Sequence, residues 1–175
     1  KAYDAGARIH TNSWGGYGNS YGTLSSTTDR FMWEHKDFLA LFANGNSGPS
    51  ENSVINPATA KNVISVGATL NGTGAESVTW FSSNGVTADG RIKPTVTAPG
   101  DGPTDGAGII SADSDGIKNS NNSGTIGMRG TSMATPHVTS AAAMLLERNP
   151  ALTQTQVEGA LEAATRVQPQ GLQAR

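Results

Sequence analysis

The stretch with the most chemical potential in this chain is "RGTSMATPH", residues 129–137. Apolar residues at Ala134, Val138, Ala141 and Leu145 recur at the spacing of one helix face, which predicts a helix over 131–147. Ser132 then stands at a helix start, where unsatisfied N–H groups and the helix dipole both favour developing negative charge. Gly130 permits a tight approach turn, and Pro136 lies near enough to the start to cost little backbone hydrogen bonding. Read alone, a Ser or Thr in this place is an N-cap. A nucleophile needs two further parts: aimed donors for the oxyanion, and a base that is itself held in place. Asn46, in "LFANGNSGPS", is a side-chain amide that could be such a donor, although by itself it reads as a turn residue beside glycine. The candidate bases are three histidines, His10, His35 and His137.

These residues must be held by elements that the apolar pattern outlines. Residues 7–12 ("ARIHTN") read as a short strand, 24–36 as a helix, and 38–43 ("FLALFA") as a buried strand broken by "NGNSGPS". "NVISVGA" (62–68), "VTWFS" (78–82), "TVTAPG" and "GIISA" are further strand candidates between Gly, Asn and Ser. Thr153 with Gln156 forms a capping-box pattern opening a last helix over 154–165. Buried strands alternating with helices predict an α/β fold, a mainly parallel sheet flanked by helices. The polar run "SDGIKNSNNSG" reads as an exposed loop.

Composition narrows the function. The 175 residues fit one domain, carry a net charge of −2 and show no Lys/Arg stripe, which argues against a nucleic-acid partner. No apolar run approaches the length of a membrane-spanning helix, so no membrane is expected as a partner. Without cysteine there is no disulfide, thiol catalysis or Cys-ligated metal. The opening "KAYDAGARIH" reads as the last turn of a helix closed by Gly6, so the chain reads as a fragment, a single incomplete domain over 1–175.

"GTSMATPH" resembles the nucleophile motif of the subtilisin-like serine proteases, the subtilases, and other segments follow that family in order, most closely its larger alkaline members. The resemblance implies the C-terminal part of a subtilisin-like domain and endopeptidase chemistry through an acyl-enzyme on Ser132. It makes Asn46, not Asn44, the oxyanion donor. "HTNSWGG" resembles the family's substrate strand, so Ser13, Trp14, Gly15 and Gly16 are expected to bind an extended peptide, with Ala43, Asn44 and Gly45 as a second wall. Trp14 read alone could equally be a core aromatic. "NPATAKNVISVGA", "FSSNG" and "GRIKPTVTAPG" extend the likeness, with Asn84 where the pattern has arginine and Thr95 where it has aspartate. Both departures bear on local stability more than on chemistry.

The family's base and orienting acid sit in Asp-[Ser/Thr]-Gly and His-Gly-Thr-His motifs, and neither occurs in this sequence. Asp4 and His10 precede Ser132 in the required order, but they lie six residues apart and His10 falls in the substrate strand. His137 is expected to pack beneath the site and His35 to lie on a helix surface. The chain alone is therefore expected to be inactive, with a non-catalytic peptide-binding or scaffold module as the alternative. A protein or peptide substrate, pairing with a segment that carries the Asp and His, self-association, and a secreted or extracytoplasmic location are what the resemblance and the exposed sheet edge imply. No metal ligand is assigned and no cofactor is required. The resemblance leaves room for a structural calcium, for which "SADSDG" is the only acidic segment of note.

Overall fold

A computed structural model describes residues 1–114, 116 and 123–165. Among these residues, eight strands and three α-helices follow in the order β1 (Ile9–Asn12), α1 (Thr23–Glu34), β2 (Leu39–Ala43), β3 (Ile64–Thr69), β4 (Gly85–Val86), β5 (Ile92–Lys93), β6 (Val96–Pro99), β7 (Ile109–Ala112), β8 (Thr125–Met128), α2 (Thr131–Arg148) and α3 (Gln154–Ala164). β1, β2, β3 and β6 pair side by side, all parallel, which is the expected mainly parallel α/β arrangement. Two small antiparallel pairs, β4 with β5 and β7 with β8, stand apart from that sheet.

The continuous apolar run of β2 reflects burial on both faces. Leu39 and Leu41 face α2 and α3, packing with Ile64, Val66, Ala134, Val138, Ala142 and Val157. Ala40 and Phe42, one residue out of step, face α1 and pack with Met32, Val54, Ala58 and Val63. The sheet thus separates two apolar layers, with α1 on one side and α2 on the other. α3 opens with the predicted capping box: the Thr153 side chain accepts from the Gln156 N–H, and the Gln156 side chain accepts from the Thr153 N–H. The first residues make a single turn closed at Gly6 (φ +96°), with Gly6 N–H donating to Tyr3 O and Ala7 N–H to Ala2 O.

One predicted strand fails. Within 78–82 only Val78 makes a β-bridge, to Thr69, after which the chain turns at Trp80 and Phe81. Backbone bonds flank that bridge, Leu70 N–H to Ser77 O and Thr79 N–H to Ala68 O, and beyond it hydroxyls take over: Thr79 Oγ1 also donates to Ala68 O and Ser82 Oγ accepts from Ala68 N–H. Most of the polar run "SDGIKNSNNSG" lies outside the described residues. Among the described residues, no helix is long and apolar enough to cross a membrane.

Candidate active site

The site forms where strands end, at the carboxyl edge that parallel sheets use for ligands. β1 runs into Ser13, β2 into Asn44–Asn46, and β6 into Gly100, whose carbonyl accepts from Gly130 N–H at 2.8 Å. That bond, 30 residues apart in sequence, seats the start of α2 against the end of β6. The loop after β6 is held by Asp101, a fully buried aspartate accepting from the N–H groups of Gly102, Gly106 and Gly108 at 2.8–2.9 Å. Burial pushes its carboxyl up, but the three donors and the charge of Arg129 outweigh that and hold it below the ordinary carboxylate range. Nothing in the sequence marked Asp101.

The N-cap of α2 is Gly130, not Thr131 or Ser132, and no side chain of its own caps the helix. Its φ of +150° is a conformation that L side chains rarely adopt. Ser132 is the second residue of the helix, so its N–H is one of the donors that helix geometry leaves without an internal partner. Asn46 caps the helix from outside. Its Oδ1 accepts from Thr131 N–H and from Thr131 Oγ1, both at 2.9 Å, while Gly45 N–H donates to the same hydroxyl at 3.3 Å. Two donors converging on one amide atom identify it as the oxygen and turn Nδ2 the other way. A Cβ built on Gly130 would stand 3.2 Å from Asn46 Nδ2 and 3.6 Å from Ser132 N. That point is thus bordered by Ser132 N and by the Asn46 amide, whose Nδ2 lies nearer than its Oδ1 at 3.7 Å.

Ser13 and Ser132 hold each other across 119 residues: Ser13 Oγ donates to Ser132 O at 2.8 Å, and Ser132 Oγ donates to Ser13 O at 3.3 Å. Trp14 is 52% exposed, which excludes the core reading; its indole N–H donates to Asn12 Oδ1 and its ring meets Phe42 edge-on. Gly16 N–H donates to Asn56 O at 2.8 Å. Ala43 and Asn44 are buried; Asn44 Nδ2 donates to Ser83 O at 2.6 Å, its N–H donates to Val66 O and its carbonyl accepts from Ile55 N–H, so Asn44 is held inside the wall by side chain and main chain alike. Sequence reasoning missed Ile55. A Cβ on Gly15 would lie 2.8 Å from Ile55 Cγ1, and one on Gly45 would lie 2.9 Å from Ile55 Cγ2, so this one side chain touches both walls.

No histidine is placed as a base. His137 does not pack beneath the site; it is exposed, with Nδ1 2.9 Å from Met133 O, because its helix position points outward. His35 is half-buried rather than a helix-surface residue, stacked on Phe31 with centroids 4.1 Å apart and edge-on to Tyr3. His10 is exposed on β1 near Phe38. Among the described residues no group of three or more His, Asp or Glu that could hold a metal ion comes together; Asp115 of "SADSDG" lies outside them.

What fold and site define together is a parallel α/β unit in which Ser13, Asn46 and Ser132 are brought together at the strand ends. The sequence pattern of the subtilase family matches residues 1–175, and the chain belongs to that family. It is 38% identical over 138 residues to the serine protease AprX of Bacillus subtilis (strain 168), an alignment covering 73% of this chain and 30% of AprX. It is 36% identical over 168 residues to fervidolysin of Fervidobacterium pennivorans, covering 92% of this chain and 22% of that protein. Among solved structures it superposes on sphericase with a TM-score of 0.70 at 29% identity, over 93% of this chain and 50% of that one. The chain thus spans less than a third of these two relatives and half of sphericase.

Proposed function

We propose that this chain carries the nucleophile half of a subtilisin-type serine endopeptidase. The observation that bears the reading is that Asn46 Nδ2 and Ser132 N border the same space beside Gly130. Ser132 Oγ attacks the substrate carbonyl carbon while a histidine from outside this sequence takes its proton. The carbonyl oxygen becomes an oxyanion and moves into that space, where the two donors meet it. Collapse of the tetrahedral species breaks the peptide C–N bond, the histidine protonates the departing amine, and water then hydrolyses the acyl-Ser132 ester. Alone, this chain lacks the base and turns over no peptide.

The substrate is an extended peptide lying along 13–16, with the side chain before the scissile bond entering between that segment and 43–45. Ile55 closes the floor of that slot and favours small side chains there. A segment bearing the Asp and His motifs completes the sheet at β1, whose outer edge pairs with no other strand among the described residues. The complete protein is secreted or extracytoplasmic, works on protein substrates and needs no cofactor; these points rest on the family likeness.

The test joins this chain to an Asp- and His-bearing subtilase segment, fused or in trans, and follows hydrolysis of a peptide and labelling by a fluorophosphonate. Hydrolysis and labelling that Ser132→Ala abolishes support the reading. A folded assembly that binds peptide without cleaving it or labelling at Ser132 points instead to the binding module.

A further inference from the structure

Pro136 stands four residues after Ser132 within α2. In a regular helix the N–H of residue i+4 donates to the carbonyl of residue i, and proline has none to give. The Ser132 carbonyl is therefore the one in the first turn that the helix itself leaves open, and Ser13 Oγ donates to it at 2.8 Å. The neighbouring carbonyls are engaged by their own helix: Thr131 O accepts from Thr135 Oγ1 and Met133 O lies 2.9 Å from His137 Nδ1. Pro136 removes one helix bond, at the nucleophile itself, and a residue 119 positions away supplies the replacement.

We infer that Pro136 and Ser13 act as a pair that positions the nucleophile: the proline frees the Ser132 carbonyl, and the Ser13 hydroxyl takes it up, fixing the Ser132 peptide to the substrate strand. The role goes beyond lining the cleft. Since Ser13 follows β1 and Ser132 opens α2, the bond sets the spacing between peptide-binding backbone and attacking oxygen. A small drift in that spacing lowers rate more than binding. Ser13 touches the nucleophile's backbone and is a positioning residue. This inference rests on the proposed protease reading.

In the assembled enzyme, Ser13→Ala should lower kcat about fivefold, the worth of one net hydrogen bond, with KM moving less than about twofold. Ser13→Thr, which keeps the hydroxyl, should restore most of the rate. Pro136→Ala supplies an N–H under the Ser132 carbonyl, so in that background Ser13→Ala should have no further effect. A Ser13→Ala enzyme with unchanged kcat, or the same fold loss in both backgrounds, overturns the pairing. A wild-type assembly that neither hydrolyses peptide nor labels at Ser132 overturns the protease reading, and the inference with it. A readout independent of activity is amide hydrogen exchange of residue 136 in the Pro136→Ala chain. Exchange slowed further by adding Ser13→Ala shows that the two donors compete for one carbonyl. Exchange indifferent to residue 13 overturns the inference.

Discussion

Lys93 on β5 is a buried cation without a carboxylate in ion-pair contact among the described residues. Its ammonium donates to Val63 O at 3.1 Å and to Thr95 Oγ1 at 3.4 Å, both neutral acceptors. Burial is the largest influence on it, with Arg91 acting the same way and Glu158, Asp29 and Glu162 opposing; together they take its pKa from 10.5 to about 8. A displacement of that size corresponds to about 3 kcal/mol of penalty on the folded state while the lysine is charged. Because the folded pKa lies below the unfolded one, the unfolded chain holds the extra proton between pH 8 and 10.5, so this contribution to stability rises with pH across that window. Below pH 8 both states are protonated and the penalty stands in full. Thr95→Asp puts a carboxylate where Thr95 now meets Lys93 and draws the lysine back toward its ordinary value. Urea unfolding followed by circular dichroism at pH 7, 8, 9 and 10 reads the effect. The variant should be more stable by about 1–2 kcal/mol at pH 7, since the new carboxylate loses some hydration too, with the gap closing by about pH 10. The range stops there because burial raises Tyr21, with its Asp29 hydrogen bond adding, to about 12; its stabilising contribution is lost as pH climbs above 10. Parallel pH profiles for the two proteins would refute the reasoning.

Three further outcomes follow from the geometry. Asn46→Asp keeps the acceptor that caps Thr131 but replaces the Nδ2 donor, so the assembled enzyme should melt near wild type yet lose about 10²–10³ in kcat, a magnitude known for such donors in this same family rather than worked from this structure; an equal loss of stability and rate would deny the donor role. Ile55→Ala should raise the kcat/KM ratio of phenylalanine over alanine at the residue before the scissile bond by at least about tenfold, measured on paired peptide substrates. Asp29, buried in α1, accepts from Lys61 N–H, Asn62 N–H and Tyr21 Oη at 2.7–2.9 Å, so Asp29→Asn should cost about 2 kcal/mol in urea unfolding without changing the relative preference among peptides.

What the sequence made legible was whatever it encodes locally. β2 could be read because both of its faces are apolar, and α3 because Thr153 and Gln156 cap it with their own side chains. β4, β5 and β8 escaped notice; the first two are two residues long, and all four residues of β8 are exposed. The segment 78–82 has strand composition, yet past one β-bridge its hydroxyls join the backbone in holding Ala68, and composition carries no trace of which backbone group a hydroxyl will find. The site divides in the same way. Ser132 and Asn46 stand out by motif, whereas Ile55 lies in a stretch with no mark of its own and matters only because Gly15 and Gly45 both come up against it. Pro136 shows the limit most sharply. Its missing N–H is plain from the residue type, and counting four positions back along a helix assigns the freed carbonyl to Ser132. Where that carbonyl finds its donor depends on β1 and α2 meeting across the sheet's end, a property of the topology. The chemistry of a residue is thus local while its partner is not, and in this chain the two are joined at the bond from Ser13 Oγ to Ser132 O.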